Sequence, residues 1–161
     1  MKKIIVYYSM SGNTEYAAKI IAEKTGAELL RIAPAKAYPD KGAKKFLWGG
    51  KSAVMKEKPA LLPYDFDAGE YDGVIFGTPV WASNITPPLR TFIDENKDKL
   101  AGKKFSVFVC YSGGGAEKAI NRLKELLDIP SFEATLILTD PKDKPDEDNE
   151  RRIAGFCESA G

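Results

Sequence analysis

The chain has no histidine. That removes histidine-based nucleophilic triads, imidazole acid–base steps and most zinc or iron sites at once. Cysteine is scarce too. Cys110 lies in an apolar run and Cys157 in a helical pattern, with no spacing that frames a disulfide or a metal site. Both read as buried packing residues in a reducing, cytoplasmic setting. No stretch approaches the ~18 apolar residues of a membrane span. The opening Met1-Lys2-Lys3-Ile4 has a charged start, but its apolar run ends at Tyr8 with no small-residue cleavage site after it. It therefore reads as a first strand. Internal repeats and low-complexity tails are also missing.

Charge of one sign is lacking overall, since the net charge is +1. The distribution is nevertheless uneven. Residues 1–60 carry twelve Lys/Arg against five Asp/Glu, and residues 61–161 carry twelve against eighteen, a balance of +7 and −6. Lysines at 36, 41, 44, 45, 51, 56 and 58 cluster in one segment. Charge runs of this kind usually coat a solvated face, so the segment reads as one and no nucleic-acid partner is expected.

What is present is a core. At 161 residues with 43% hydrophobic content, the chain suits a single domain spanning 1–161. Short apolar runs, mostly β-branched or aromatic, occur at Ile4–Tyr8, Glu28–Ile32, Gly73–Gly77, Phe105–Cys110 and Phe132–Leu138, the pattern of buried parallel strands. Helical periodicity lies between them. Tyr16, Ala17, Ile20 and Ile21 share one face, Leu89, Phe92 and Ile93 another, and Ala119, Ile120, Leu123, Leu126 and Leu127 a third. A last helix uses Ile153, Phe156 and Cys157. The alternation predicts an α/β fold, a three-layer doubly wound five-stranded parallel sheet of order 2-1-3-4-5. Within the less regular Pro34–Asp72 segment, Lys41–Met55 is expected to be helical and Lys58–Pro63 extended.

In such a sheet, ligands bind beyond the carboxyl ends of the strands, here between strands 1 and 3. Three connections meet that edge. After strand 1, Ser9, Met10, Ser11, Gly12, Asn13 and Thr14 lead into a helix whose unpaired N–H groups and positive dipole end favour an anion. No lysine follows Gly12, and a single glycine stands where a dinucleotide fingerprint needs three, so neither common nucleotide motif is present. After strand 3 come Thr78, Pro79, Val80, Trp81, Ala82, Ser83 and Asn84, with Trp81 offering a flat apolar face. After strand 4 come Cys110, Tyr111, Ser112, Gly113, Gly114 and Gly115. Three consecutive glycines are entropically costly unless something flat lies against the backbone. Together the loops describe a site for a phosphorylated planar molecule, and flavin mononucleotide (FMN) fits.

The chain closely resembles the flavodoxin family over nearly its whole length. Val6-Tyr7-Tyr8-Ser9-Met10-Ser11-Gly12-Asn13-Thr14 with Ala17 looks like the family's amino-terminal signature, Thr78-Pro79-Val80-Trp81 like its ring-stacking loop, and Ser112–Gly115 like its third flavin loop. The resemblance implies that Ser9, Ser11, Gly12, Asn13 and Thr14 hold the FMN phosphate, with Met10 near the ribityl chain. It implies that Thr78 to Asn84 border the ring with Trp81 stacked on it, and that Cys110 to Gly115 give backbone donors to its polar edge. No metal site is implied. Strand 5 has no long interruption, which corresponds to the family's short form.

Two functions follow from the likeness. One is an electron-transfer protein working between redox partner proteins, a reductase and an acceptor. The alternative is an NAD(P)H-dependent FMN reductase of quinones or azo compounds. The near-neutral charge, the absence of an aromatic between Gly113 and Lys118, and the elaborate Pro34–Pro63 segment favour the second. Asp65, Asp67, Glu70 and Asp72 are expected to supply a negative patch near the ring. A monomer is expected, with the Pro34–Pro63 segment as the surface for a dimer if one forms.

Overall fold

The computed structural model describes residues 1–38 and 57–161. The helix expected over Lys41–Met55 and five of the clustered lysines lie outside them. Five parallel strands form one sheet in the order β2-β1-β3-β4-β5: β1 Lys3–Tyr7, β2 Glu28–Arg31, β3 Gly73–Pro79, β4 Lys104–Tyr111 and β5 Thr135–Thr139. Among the described residues, four helices cover it: α1 Asn13–Thr25, α2 Pro87–Leu100, α3 Ala116–Leu127 and α4 Glu147–Ala160.

Alternation along the strands builds two cores. On one face Ile4, Val6, Val74, Phe76, Phe105, Val107 and Val109 pack against α2 and α3 through Leu89, Phe92, Ile93, Ile120 and Leu123. On the other, Ile5, Tyr7, Ile75, Phe108 and Cys110 pack against α1 and α4 through Ala17, Ala18, Ile21, Ile153 and Phe156. Each fully buried Leu, Ile or Phe of this kind contributes about 1.5–3 kcal/mol relative to exposure. Both faces being covered is why the central strands read as unbroken apolar runs rather than alternating ones.

Local chemistry sets the helix ends. Gly26 closes α1 in the left-handed region (φ 74°), its N–H bonded to the Ala22 carbonyl. The Pro87-Pro88 pair opens α2, where missing N–H groups cost nothing. Asp146 caps α4 through its side chain, which accepts the Asn149 N–H at 2.8 Å.

Three expectations need adjustment. Tyr16 is not on the core face of α1; it is exposed, and Ala18 takes its place, because small residues bring the helix close to the sheet. The regular ladder of β5 begins at Thr135 opposite Val107 rather than at Phe132, since Glu133 turns outward toward Lys3 and Lys104. The Asp65–Asp72 carboxylates sit at the amino end of β3. That strand spans seven residues, so they lie about 20 Å from its carboxyl end, more than two screening lengths at physiological salt. Their field at the opposite edge is therefore largely screened. Lys58–Pro63 is extended as expected, with Ala35 N–H to Ala60 O and Leu62 N–H to Ala33 O both at 2.8 Å.

Candidate functional site

At the carboxyl ends of β1, β3 and β4 lies a cavity of about 620 Å³, within the usual range for small-molecule sites. Met10, Ser11, Asn13 and Thr14 line it from the first loop, Pro79 to Ser83 from the second, and Cys110 to Gly114 from the third. A fourth connection, between β5 and α4, adds Asp140, Asp143 and Lys144. Sequence reasoning missed that wall. The signal available was position alone, because every strand-to-helix loop of such a sheet opens at the same edge.

The remaining residues of the three loops hold them in place. Ser9 is buried, and its Oγ accepts the Glu15 N–H at 3.1 Å, so it secures the first turn of α1 rather than lining the cavity. Gly12 (φ 98°) is not among the lining residues; it lies against the Lys142 side chain. Asn13 borders the cavity, but its carboxamide is committed: Oδ1 accepts the N–H groups of Lys142 (2.9 Å) and Asp143 (3.3 Å), and Nδ2 donates to Asp143 Oδ2 at 3.0 Å. Thr78 is fully buried, its Oγ1 donating to Pro79 O, accepting from Thr86 N–H and meeting Thr86 Oγ1 at 3.1 Å. Asn84, buried as well, presents Oδ1 to the Ile85 N–H and to Arg90. Gly115 packs on Ser83 and lines nothing.

The second loop makes a tight turn. Trp81 and Asn84 exchange both N–H···O bonds at 3.0 Å around Ala82 (φ 50°) and Ser83 (φ 60°). Two positive φ values in succession define the type I′ geometry that Asn-Gly normally occupies. Trp81 is steadied by the perpendicular rings of Tyr8 (centroids 5.7 Å apart) and Tyr38 (5.3 Å). The third loop offers backbone: Ser112, Gly113 and Gly114 are exposed.

Electrostatically, the α1 end favours an anion. The first-turn N–H groups have no intrahelical acceptors and the helix dipole adds to them. The Ser11 and Thr14 hydroxyls stand beside them, and the Lys142 ammonium lies 3.4 Å from Ser11 O. The opposite end is apolar, with Val80 and Trp81. This donor set, a dry wall and a glycine wall fit a phosphorylated planar group.

Burial pushes the Cys110 thiol up to about 12, a nearby Thr14 hydroxyl bond opposing the shift, and burial raises Cys157 as well. At pH 8 both should therefore resist iodoacetamide in the native protein and react once it is unfolded in urea. Because the native state keeps the Cys110 proton above the unfolded value near 9, the unfolded state binds fewer protons there. Stability should fall as pH rises from about 9 toward 12. Urea midpoints across that range test the sign, and a Cys110→Ala background should flatten the decline.

Strand order, covered faces and a ligand cavity at the switch point define a doubly wound protein of the flavodoxin-like class. The family model described as Flavodoxin matches residues 2–143, and the chain belongs to the flavodoxin family. Its fold is similar to that of a Lactobacillus acidophilus flavoprotein solved in complex with FMN (21% identity, 88% of this chain and 95% of that one, TM-score 0.71). It is similar also to two-electron reduced Megasphaera elsdenii flavodoxin (20%, all of both chains, 0.61). A third similar fold is the Trp repressor binding protein of Bacillus subtilis (16%, 99% of both chains, 0.61). No helix among the described residues is long and apolar enough to cross a membrane.

Proposed function

We propose that this chain is an FMN-carrying electron-transfer protein that passes electrons between a reductase and an acceptor protein. One observation supports the reading above the others: a single cavity joins a helix N-terminus rich in hydroxyl and N–H donors to a wall bearing Trp81. The phosphate belongs at Ser11, Thr14 and the first-turn amides, and the ring belongs against Trp81 with its polar edge toward the Ser112–Gly114 backbone. FMN supplies one- and two-electron chemistry when bound. The protein binds, orients and sets the local field. A redox partner would dock where the exposed Ser112–Gly114 segment meets Trp81, since that is the open side of the cavity.

A stepwise dithionite titration of the FMN-loaded protein, followed by absorption, tests the carrier role. Two resolved steps of one electron each are expected. A single two-electron step would overturn it. One feature favours the reductase alternative: the third loop presents glycines where a second aromatic would cover the ring, leaving a face open to a small substrate. NADPH alone should then bleach the flavin rapidly, and slow or absent bleaching speaks for the carrier.

A further inference from the structure

We propose that Lys142 is the side chain that reads the cofactor's phosphate, an assignment resting on the FMN reading above. The carboxamide of Asn13 clamps the β5–α4 loop to the first turn of α1 through three hydrogen bonds, to Lys142 N–H, Asp143 N–H and the Asp143 carboxylate. The clamp lays the Lys142 stem across Gly12, so close that a β-carbon there would stand 2.9 Å from Nζ. Lys142 is not itself a lining residue of the cavity, but its ammonium rests against the carbonyl of Ser11, which is one.

Charge pairing singles this lysine out. Lys144 is paired with Asp140 at 3.4 Å, and the Asp143 carboxylate is held by Asn13. Lys142 has no carboxylate partner among the described residues; its acceptor is the Ser11 carbonyl at 3.4 Å, beyond the usual distance of a firm N–H···O bond. Without Lys142, the fourth wall would show Asp140, Asp143 and Lys144 to an entering phosphate, one net negative charge. The Lys142 ammonium, beside the wall at Ser11 O, offsets that charge. The flexible four-carbon stem lets the ammonium leave a weak carbonyl contact for a phosphate oxygen. Riboflavin has no phosphate, so the same lysine discriminates the phosphorylated flavin from the free one.

Calorimetry on the apoprotein tests this with FMN, riboflavin and inorganic phosphate, each at low and at 0.3 M salt. Lys142→Gln should weaken FMN and inorganic phosphate roughly ten- to a hundredfold, the worth of one charge-assisted hydrogen bond, and leave riboflavin within about twofold. Lys142→Arg should keep FMN affinity, and salt should narrow the gap between wild type and Lys142→Gln. An FMN loss below about twofold, or an equal loss for riboflavin, would overturn the assignment, the latter by showing that Lys142 only shapes the loop. Wild-type protein that takes up inorganic phosphate through Lys142 but neither flavin would overturn the cofactor reading alone and uphold the anion site.

Discussion

Replacing Gly77 by valine is expected to lower the melting temperature by about 6–12 °C, the equivalent of roughly 3 kcal/mol of overpacking in a chain of this size. Gly77 pairs with Phe108 across β3 and β4. A β-carbon at Gly77 would stand 2.3 Å from the Phe108 Cζ and 2.8 Å from both Cε atoms. The ring cannot retreat, because it is fully buried and backed by Phe156 at 6.4 Å. A strand glycine with free space beside it would gain about 0.5–1 kcal/mol on substitution, so the clash decides the sign. Even Gly77→Ala should be destabilising, and Phe108→Leu should restore part of the loss in that background. Thermal and urea unfolding of the single and double variants measure this, and an unchanged midpoint for Gly77→Val would refute the close packing.

Gly115→Ala is expected to reach the cavity itself. Gly115 adopts φ 80°, where a side chain costs about 1–2 kcal/mol, and a β-carbon would meet Ser83 Oγ at 2.3 Å and Ser83 Cα at 2.8 Å. A rotamer change relieves the first contact but not the second. The third loop would then be levered away from the Trp81–Asn84 turn. The loss of stability should be about 2–4 kcal/mol, with FMN affinity down by an order of magnitude or more. Ser83→Gly removes the Oγ and Cβ contacts and also suits the positive φ of that position. Alone it should be mildly stabilising, and combined with Gly115→Ala it should recover part of both losses. Fluorescence titration with FMN and thermal unfolding read the two effects separately. Full affinity in Gly115→Ala would mean that the two loops do not support each other.

Much of this architecture was legible in the residues. Fully buried parallel strands show themselves as short apolar runs, and the loops after Tyr7, Pro79 and Tyr111 announce themselves by the polar, proline and glycine chemistry they need. Other features were not legible, for a common reason. The Asp140–Lys144 wall is joined to Asn13 by hydrogen bonds between residues about 130 positions apart, and no local pattern encodes such a pairing. The same bonds divert Asn13 from the cavity, although its type and position suit a phosphate contact. Tyr16 fits the helical period yet lies at the edge of the buried stripe, and a periodicity of 3.6 does not say how wide that stripe is.

The sequence by itself determined the succession of strands and helices, the two-faced core and the three loops that carry the site, because hydrophobic period and turn chemistry act over a few residues and leave their mark in composition. Only the tertiary structure decided which polar side chains face the cavity and which tie the loops together. It also placed the acidic cluster of residues 65–72 at the far edge and Lys142 at the near one. Those outcomes depend on hydrogen bonds and charge separations between segments distant in the chain, and these exist only once the sheet has closed.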